Sequence, residues 1–290
     1  MKKLTLLFTA LLIFITACNK IDTSKEVFNF ISPVEVTPWD PDYAKTVIQK
    51  IYIEEYTGHR CTFCPTGARE LKTIMEEDPT IIATAIHCSD LANPGNPPYF
   101  NNNYKTPLGD QLCEDFNVKG LPQAIMNRIR YNQDKWSIDW NDWRKAIAKI
   151  DRNNIRAGIE LQCTVNETKQ EIEAQVAVTI IKELPNPVQL CVVLQQDSIV
   201  SGQVDGSQYI LDYVHNHMLR VGFNGSYGTK LTATGIVEPQ LKYSTSFKIS
   251  YKNSFPYSYL PIEIKHCSVI AYLIDMETKE VVQVEEVHLH

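Results

Sequence analysis

Residues 51–77 read IYIEEYTGHRCTFCPTGARELKTIMEE, and the first half of the chain is organised around them. β-Branched and aromatic residues from Val47 to Tyr56 predict a strand. From Pro65 to Glu77, Ala68, Leu71, Ile74 and Met75 fall on one helical face. Between the two stands Cys61-Thr62-Phe63-Cys64, where the helix opens. Unpaired backbone N–H groups and the positive end of the helix dipole favour a thiolate there. Arg60, and His59 when protonated, push the same way. Such settings lower a cysteine pKa from about 8.5 towards about 3.5–7.5. Cys61, at the exposed first position, is the expected nucleophile, and Cys64, one turn in, the expected resolving thiol.

Outward from that stretch, Thr80–His87 is a short, mostly apolar run, as in a strand buried on both faces. Ser89–Tyr104 is a loop rich in Asn and Pro, Pro107–Phe116 a helix and Gln123–Arg128 a strand. Ile138–Ile150 reads as an amphipathic helix carrying Trp140, Trp143, Ile147 and Ile150. Just before the strand at Gln123 stands Lys119-Gly120-Leu121-Pro122. Taken in this order the elements resemble the thioredoxin fold, and Gly120-Leu121-Pro122 resembles its cis-proline loop. The resemblance implies that the backbone of Leu121, before Pro122, is offered to an extended substrate beside the cysteines. Thioredoxins also bury an acid six residues before the first cysteine, which here is Glu55. It shares a strand face with Ile51 and Ile53, and burial would raise its pKa into a range useful for proton transfer. A solvated acid beside Glu54 is the other reading. Where thioredoxins carry Trp and Gly-Pro, this chain has His59-Arg60 and Thr62-Phe63, so no potential or substrate is carried over.

After Asn154 the hydrophobic period changes to two. Ile172, Ala174, Val176, Val178 and Ile180 alternate with polar residues, as do Tyr243, Thr245, Phe247, Ile249 and Tyr251. Ser268–Ile274 and Val281–Val287 flank a hairpin turn. The expected fold class is an α/β thioredoxin-like domain followed by an all-β, immunoglobulin-like sandwich.

At the amino end, Lys2 and Lys3 precede an apolar run from Leu4 to Ile15, too short to span a bilayer and typical of a secretory signal. It ends Ile15-Thr16-Ala17-Cys18, which resembles a bacterial lipobox, so Cys18 is the expected lipidation site. The domain plan is therefore a signal over 1–17, a lipidated tether over 18–45, the α/β domain over 46–154 and the sandwich over 155–290. Asn19, in place of the Asp that favours inner-membrane retention in enteric bacteria, points by resemblance to the outer membrane. Periplasmic or surface facing stays open. A net charge of −6 with no basic block argues against nucleic acid as a partner.

There are eight cysteines, and setting Cys18 aside leaves an odd number in a compartment that oxidises thiols. Cys88 and Cys113 are candidates for an accessory disulfide, or for buried or free thiols. Cys163, Cys191 and Cys267 read as small core residues, with room for one bridge. His215 and His217 share a strand face and read as surface residues. His59, Cys61, Cys64, His87, Cys88 and Cys113 offer ligand chemistry, but without a second Cys-x-x-Cys no metal centre is expected. The expected cofactors are none beyond the lipid on Cys18 and a redox-active disulfide.

Glu55–Pro65 and Gly120–Pro122, with Tyr213-Val214-His215-Asn216-His217-Met218-Leu219-Arg220, are similar to the outer-membrane-protein-twenty-eight-related lipoproteins of Bacteroides-type bacteria. The resemblance implies a lipid-anchored outer-membrane protein. Two functions follow as expectations. One is an envelope thiol–disulfide oxidoreductase whose site is Cys61, Cys64, Glu55, Leu121 and Pro122, with protein thiols or disulfides as partners. The other is a non-catalytic binding, adhesion or transport-accessory lipoprotein that uses the thioredoxin fold as scaffold.

Overall fold

The computed structural model describes residues 30–131, 135–251 and 260–290, so the signal segment and Cys18 lie outside the described residues. Strands β1 (Phe30–Ile31) and β2 (Glu35–Pro38) precede helix α1 (Pro41–Thr46). Then come β3 (Ile51–Thr57), α2 (Cys64–Glu77), β4 (Ile81–His87), α3 (Pro107–Asp115), β5 (Gln123–Met126), β6 (Ile138–Asp139) and α4 (Trp143–Ile147). The remainder is β structure: β7 (Ala157–Asn166), β8 (Glu171–Ile180), β9 (Val188–Gln196), β10 (Ile199–Asp205), β11 (Gln208–His215) and β12 (Met218–Gly222). It ends with β13 (Thr229–Lys230), β14 (Leu241–Ser250), β15 (Cys267–Asp275) and β16 (Val281–His288). The protein is mostly β, built of sandwich-like sheets with few helices.

β3 and β4 run parallel, in register from Ile51 opposite Ile81 to Thr57 opposite His87, with α2 as the crossover. β5 lies antiparallel on the other side of β3, and β6 antiparallel to β5. Every residue of β3 and β4 is buried, because helices cover one face and helix plus sheet the other. Ile51 and Ile53 pack with Leu71, Ile74 and Trp143 of α2 and α4. Tyr52 and Tyr56 point the opposite way, towards Leu108, Leu112 and Tyr272. On that second face Glu54 is held by Arg128, whose Nε and Nη2 donate to the two carboxylate oxygens at 2.9 and 2.7 Å. The same Nη2 donates to Tyr272 Oη at 3.3 Å, so the buried ion pair bridges β3 and β15.

The sheet does not stop at the boundary expected near residue 154. β12 returns from the later part of the chain, pairs parallel with β4 at Met218 and Ala85, and pairs antiparallel with β9. One sheet therefore runs β16-β15-β9-β12-β4-β3-β5-β6, with β13 also on β9. A second sheet, β1-β14-β8-β7 with β2 on β14, covers its β9-β15-β16 end. Between the layers lie Ile159, Val176, Val178 and Phe247 from one side and Leu190, Val192, Ala271 and Val282 from the other.

Two expectations are corrected. The tether drawn to residue 45 is ordered structure from Phe30 onward, because β1 and β2 both add antiparallel strand pairing to β14. The long helix drawn over 138–150 is a strand, a 3₁₀ turn (Trp140–Asp142) and the short α4. Ile138 is taken by β5, opposite Ala124, and its carbonyl accepts from Trp143 Nε1 at 3.0 Å.

Candidate functional site

β3 ends at Thr57, and the chain turns through Gly58 to bring Cys61 N onto Gly58 O at 3.0 Å. A Cβ at Gly58 would lie 2.9 Å from the Leu91 carbonyl, so the tight approach of the 91 loop demands glycine. Cys61 and Cys64 are joined as a disulfide, with Cα atoms 5.4 Å apart. Cys64 opens α2, whose N-cap residue Phe63 supplies no side-chain cap. The first turn is closed by backbone instead: Cys64 N meets Cys61 O at 3.4 Å, Pro65 has no N–H, and Thr66 N and Gly67 N meet Phe63 O at 3.0 and 3.4 Å. The dipole, rather than free N–H groups, is what the helix start offers the sulfurs.

Glu55 sits on the β3 face shared with Ile51 and Ile53, only 3% exposed. Among the described residues its Oε1 has no hydrogen-bond partner, and burial pushes its carboxyl up to about 8. A cavity of about 540 Å³ opens beside α2 and is lined by Glu55, Cys64, His87, Gln203, Tyr213 and His215. The Leu121–Pro122 peptide is cis, and Pro122 packs on the first turns of α2. A Cβ on Gly67 would come within 2.9 Å of the Pro122 ring and 3.2 Å of Trp143. Cys61, Cys64, Glu55 and the Leu121–Pro122 loop thus gather around the start of one helix.

The expected exposure of Cys61 is corrected. It is 3% exposed, as buried as Cys64 at 2%. The covering element is the β10–β11 hairpin, a two-stranded ribbon from the later part of the chain. Val204 N donates to His59 O at 2.9 Å, Gly206 N to Thr62 O at 3.0 Å and Gln203 Nε2 to Cys61 O at 3.2 Å. Arg69 on α2 pairs with Asp205 at 2.8 Å. Gln203 and Val204 were not singled out in the sequence. The Asp205-Gly206 turn signal marks a hairpin, but nothing local says where the hairpin lands.

The histidines also differ from expectation. His59 does not add positive charge: burial lowers its pKa, and its Nε2 meets Asn93 O at 2.8 Å. His215 is buried at the end of β11, and His217 lies in the following turn at φ 56°. His59, His87, His215 and Tyr104 form one ring cluster, with centroids of Tyr104 and its histidine neighbours 4.6–5.3 Å apart. Burial holds His87 well below the usual imidazole range and His215 at about 3, so the cluster is neutral at pH 7. Among the described residues no group of three or more His, Cys, Asp or Glu side chains could hold a metal ion.

Architecture and site define a class: a mostly β, two-layer protein with a disulfide at a helix start beneath a hairpin. The family model of outer membrane protein Omp28 matches residues 109–290, and the chain belongs to that family. The matched span includes the Pro122 loop and the covering hairpin and leaves Glu55, Cys61 and Cys64 outside it. Placement at the outer membrane follows, in agreement with the lipid-anchored protein read from the sequence. Among solved structures, HBP35 of Porphyromonas gingivalis superposes with a TM-score of 0.64 at 14% identity, over 84% of this chain and 76% of that chain. That likeness shows the fold alone. A domain of the outer membrane lipoprotein Omp28 from Porphyromonas gingivalis matches with a TM-score of 0.33 at 20% identity, over 47% of this chain and 90% of that chain. No curated protein matches.

Proposed function

We propose that this outer-membrane protein is anchored by lipid on Cys18 and carries a thioredoxin-like unit, β3-α2-β4-β5-β6-α4, that exchanges disulfides with envelope proteins. The observation that carries the reading is the convergence of Cys61–Cys64, buried Glu55 and the cis Leu121–Pro122 loop at the start of α2. In the reduced protein, Cys61 as thiolate attacks a partner disulfide and expels one partner thiolate, leaving a mixed disulfide. Glu55, protonated at pH 7, gives its proton to that departing thiolate; as a carboxylate it then takes the Cys64 proton, and Cys64 attacks Cys61 Sγ. The second partner thiolate leaves, and two electrons have passed to the partner. The same steps reversed oxidise a partner dithiol. Because both cysteines are covered, the β10–β11 hairpin must lift before a partner reaches Cys61.

The test is to replace Cys64 by Ala in the anchored protein and to isolate mixed disulfides on Cys61 from envelope extracts. Exchange predicts trapped protein partners and a reduction potential of about −120 to −270 mV, the range of exchange-active pairs. An empty trap together with a potential below about −300 mV would sink it. The covered sulfurs favour a second reading, a non-catalytic binding or transport-accessory lipoprotein in which the disulfide is only a brace. That outcome is the one the second reading expects. Protease accessibility on intact cells then reports which side of the membrane the protein faces.

A further inference from the structure

A second pair of sulfurs lies in the same sheet-and-helix unit. Cys88 follows β4 directly, and Cys113 stands on α3. Their Sγ atoms are 2.8 Å apart, closer than the ~3.5–4.0 Å at which nonbonded heavy atoms come to rest. Both segments are held where they are. Cys88 N donates to Thr57 O at 3.1 Å, and Val118 N donates to Cys113 O at 3.0 Å. Cys88 is fully buried among Leu108, Leu112 and Phe116, whereas Cys113 is only partly buried. The hydrogen bond with Cys88 favours the Cys113 thiolate most, and Lys105 and Lys119 add to it, against burial and Asp110, which oppose it. Burial and that same hydrogen bond keep Cys88 protonated. The other free thiols lack this setting. Cys163, Cys191 and Cys267 have no second sulfur in hydrogen-bond contact among the described residues, and burial pushes each up to about 12.

We propose that Cys88 and Cys113 are a second oxidisable pair, closing to a disulfide that ties the end of β4 to α3, with Cys113 the sulfur that external disulfides reach first. The Cys113 thiolate attacks a low-molecular-weight disulfide and releases one thiolate, leaving a mixed disulfide on Cys113. Cys88 then attacks the Cys113 sulfur, its proton passing to the second departing thiolate. Two cysteine thiols and one external disulfide become one protein disulfide and two external thiols. Oxidising conditions at the cell envelope favour this direction. The inference stands apart from exchange at Cys61–Cys64 and survives if that pair is inert.

The test uses the whole protein, fully reduced, returned to native conditions and treated with glutathione disulfide. Remaining thiols are alkylated in denaturant, and the linked peptides are mapped by mass spectrometry. The expected result is a Cys88–Cys113 link beside Cys61–Cys64. Before oxidation, native Cys113 should take iodoacetamide at least about tenfold faster than Cys88. In Cys113→Ser, which changes the less buried partner, Cys88 should remain alkylatable in denaturant while Cys61–Cys64 still forms. Full alkylation of both Cys88 and Cys113 after oxidation would overturn the proposal. So would glutathione held stably on Cys113, or either residue linked to a different cysteine.

Discussion

Glu55 holds a proton at pH 7 because burial on β3 disfavours the charged carboxylate, and its Oε1 has no hydrogen-bond partner among the described residues. The folded pKa of about 8 stands above the ordinary 4.5, so the folded state keeps a proton that the unfolded chain has lost between those values. Stability should fall as pH rises from about 4.5 to 8 and level off above. Glu55→Gln, which mimics the protonated form, should remove most of that slope and gain roughly 2–4 kcal/mol at pH 8.5. Urea unfolding at pH 5.5 and 8.5 with the disulfide intact measures it, and an unchanged slope would place the titration elsewhere. The neighbouring acid behaves oppositely. Glu54→Ala leaves the buried Arg128 guanidinium without its carboxylate and should cost about 3–5 kcal/mol in the same experiment. Strand alternation made it legible that Glu54 and Glu55 face opposite ways. It could not show that both faces are buried, since Arg128 reaches Glu54 from the turn just beyond β5.

At the scale of elements, the β10–β11 ribbon is what distinguishes this site from an open one. Its hold on the 58–62 turn is a few hydrogen bonds and one partly exposed ion pair, interactions worth about 1 kcal/mol or less each. Gln203→Ala removes the amide that reaches Cys61 O and should raise the rate at which dithiothreitol reduces Cys61–Cys64 by about fivefold, through a larger open population. Quenched alkylation at timed intervals follows this directly; an equal rate would mean that reductant enters by another route, such as the cavity beside Cys64. The helix carrying the cysteines was readable because its signals are local: Pro65, the apolar face and the preceding strand. The short α4 was misread because the Trp140, Trp143 and Ile147 spacing fits a helix equally well. What ends the pattern is Ile138 pairing with Ala124, a contact outside any window of sequence.

Across the whole molecule, the period-two half and the α/β half share one sheet. β12 supplies the seam, and the Arg128–Glu54–Tyr272 contacts cross the same core. The change of period near residue 154 was plain in the sequence. It marks a change of strand type rather than an end of packing, because hydrophobic pattern records which face is buried and not against whom. Unfolding should therefore be a single transition. Of the four tryptophans, Trp136, Trp140 and Trp143 lie in the α/β half, whereas Trp39 N meets Gln240 O beside β14, so in Trp39→Phe the fluorescence reports the α/β half alone. Amide exchange along β8 and β14 reports the sandwich. Coincident midpoints in denaturant are expected, and separated ones would restore two independent units. The seam also sets an order of events for a chain delivered amino end first. β4 is complete while residues 88–217 have yet to follow, so its outer edge waits unpaired for Met218. During that wait Cys61 and Cys64 are already out and Gln203 is not, so they can be oxidised before the ribbon that later hides them has arrived.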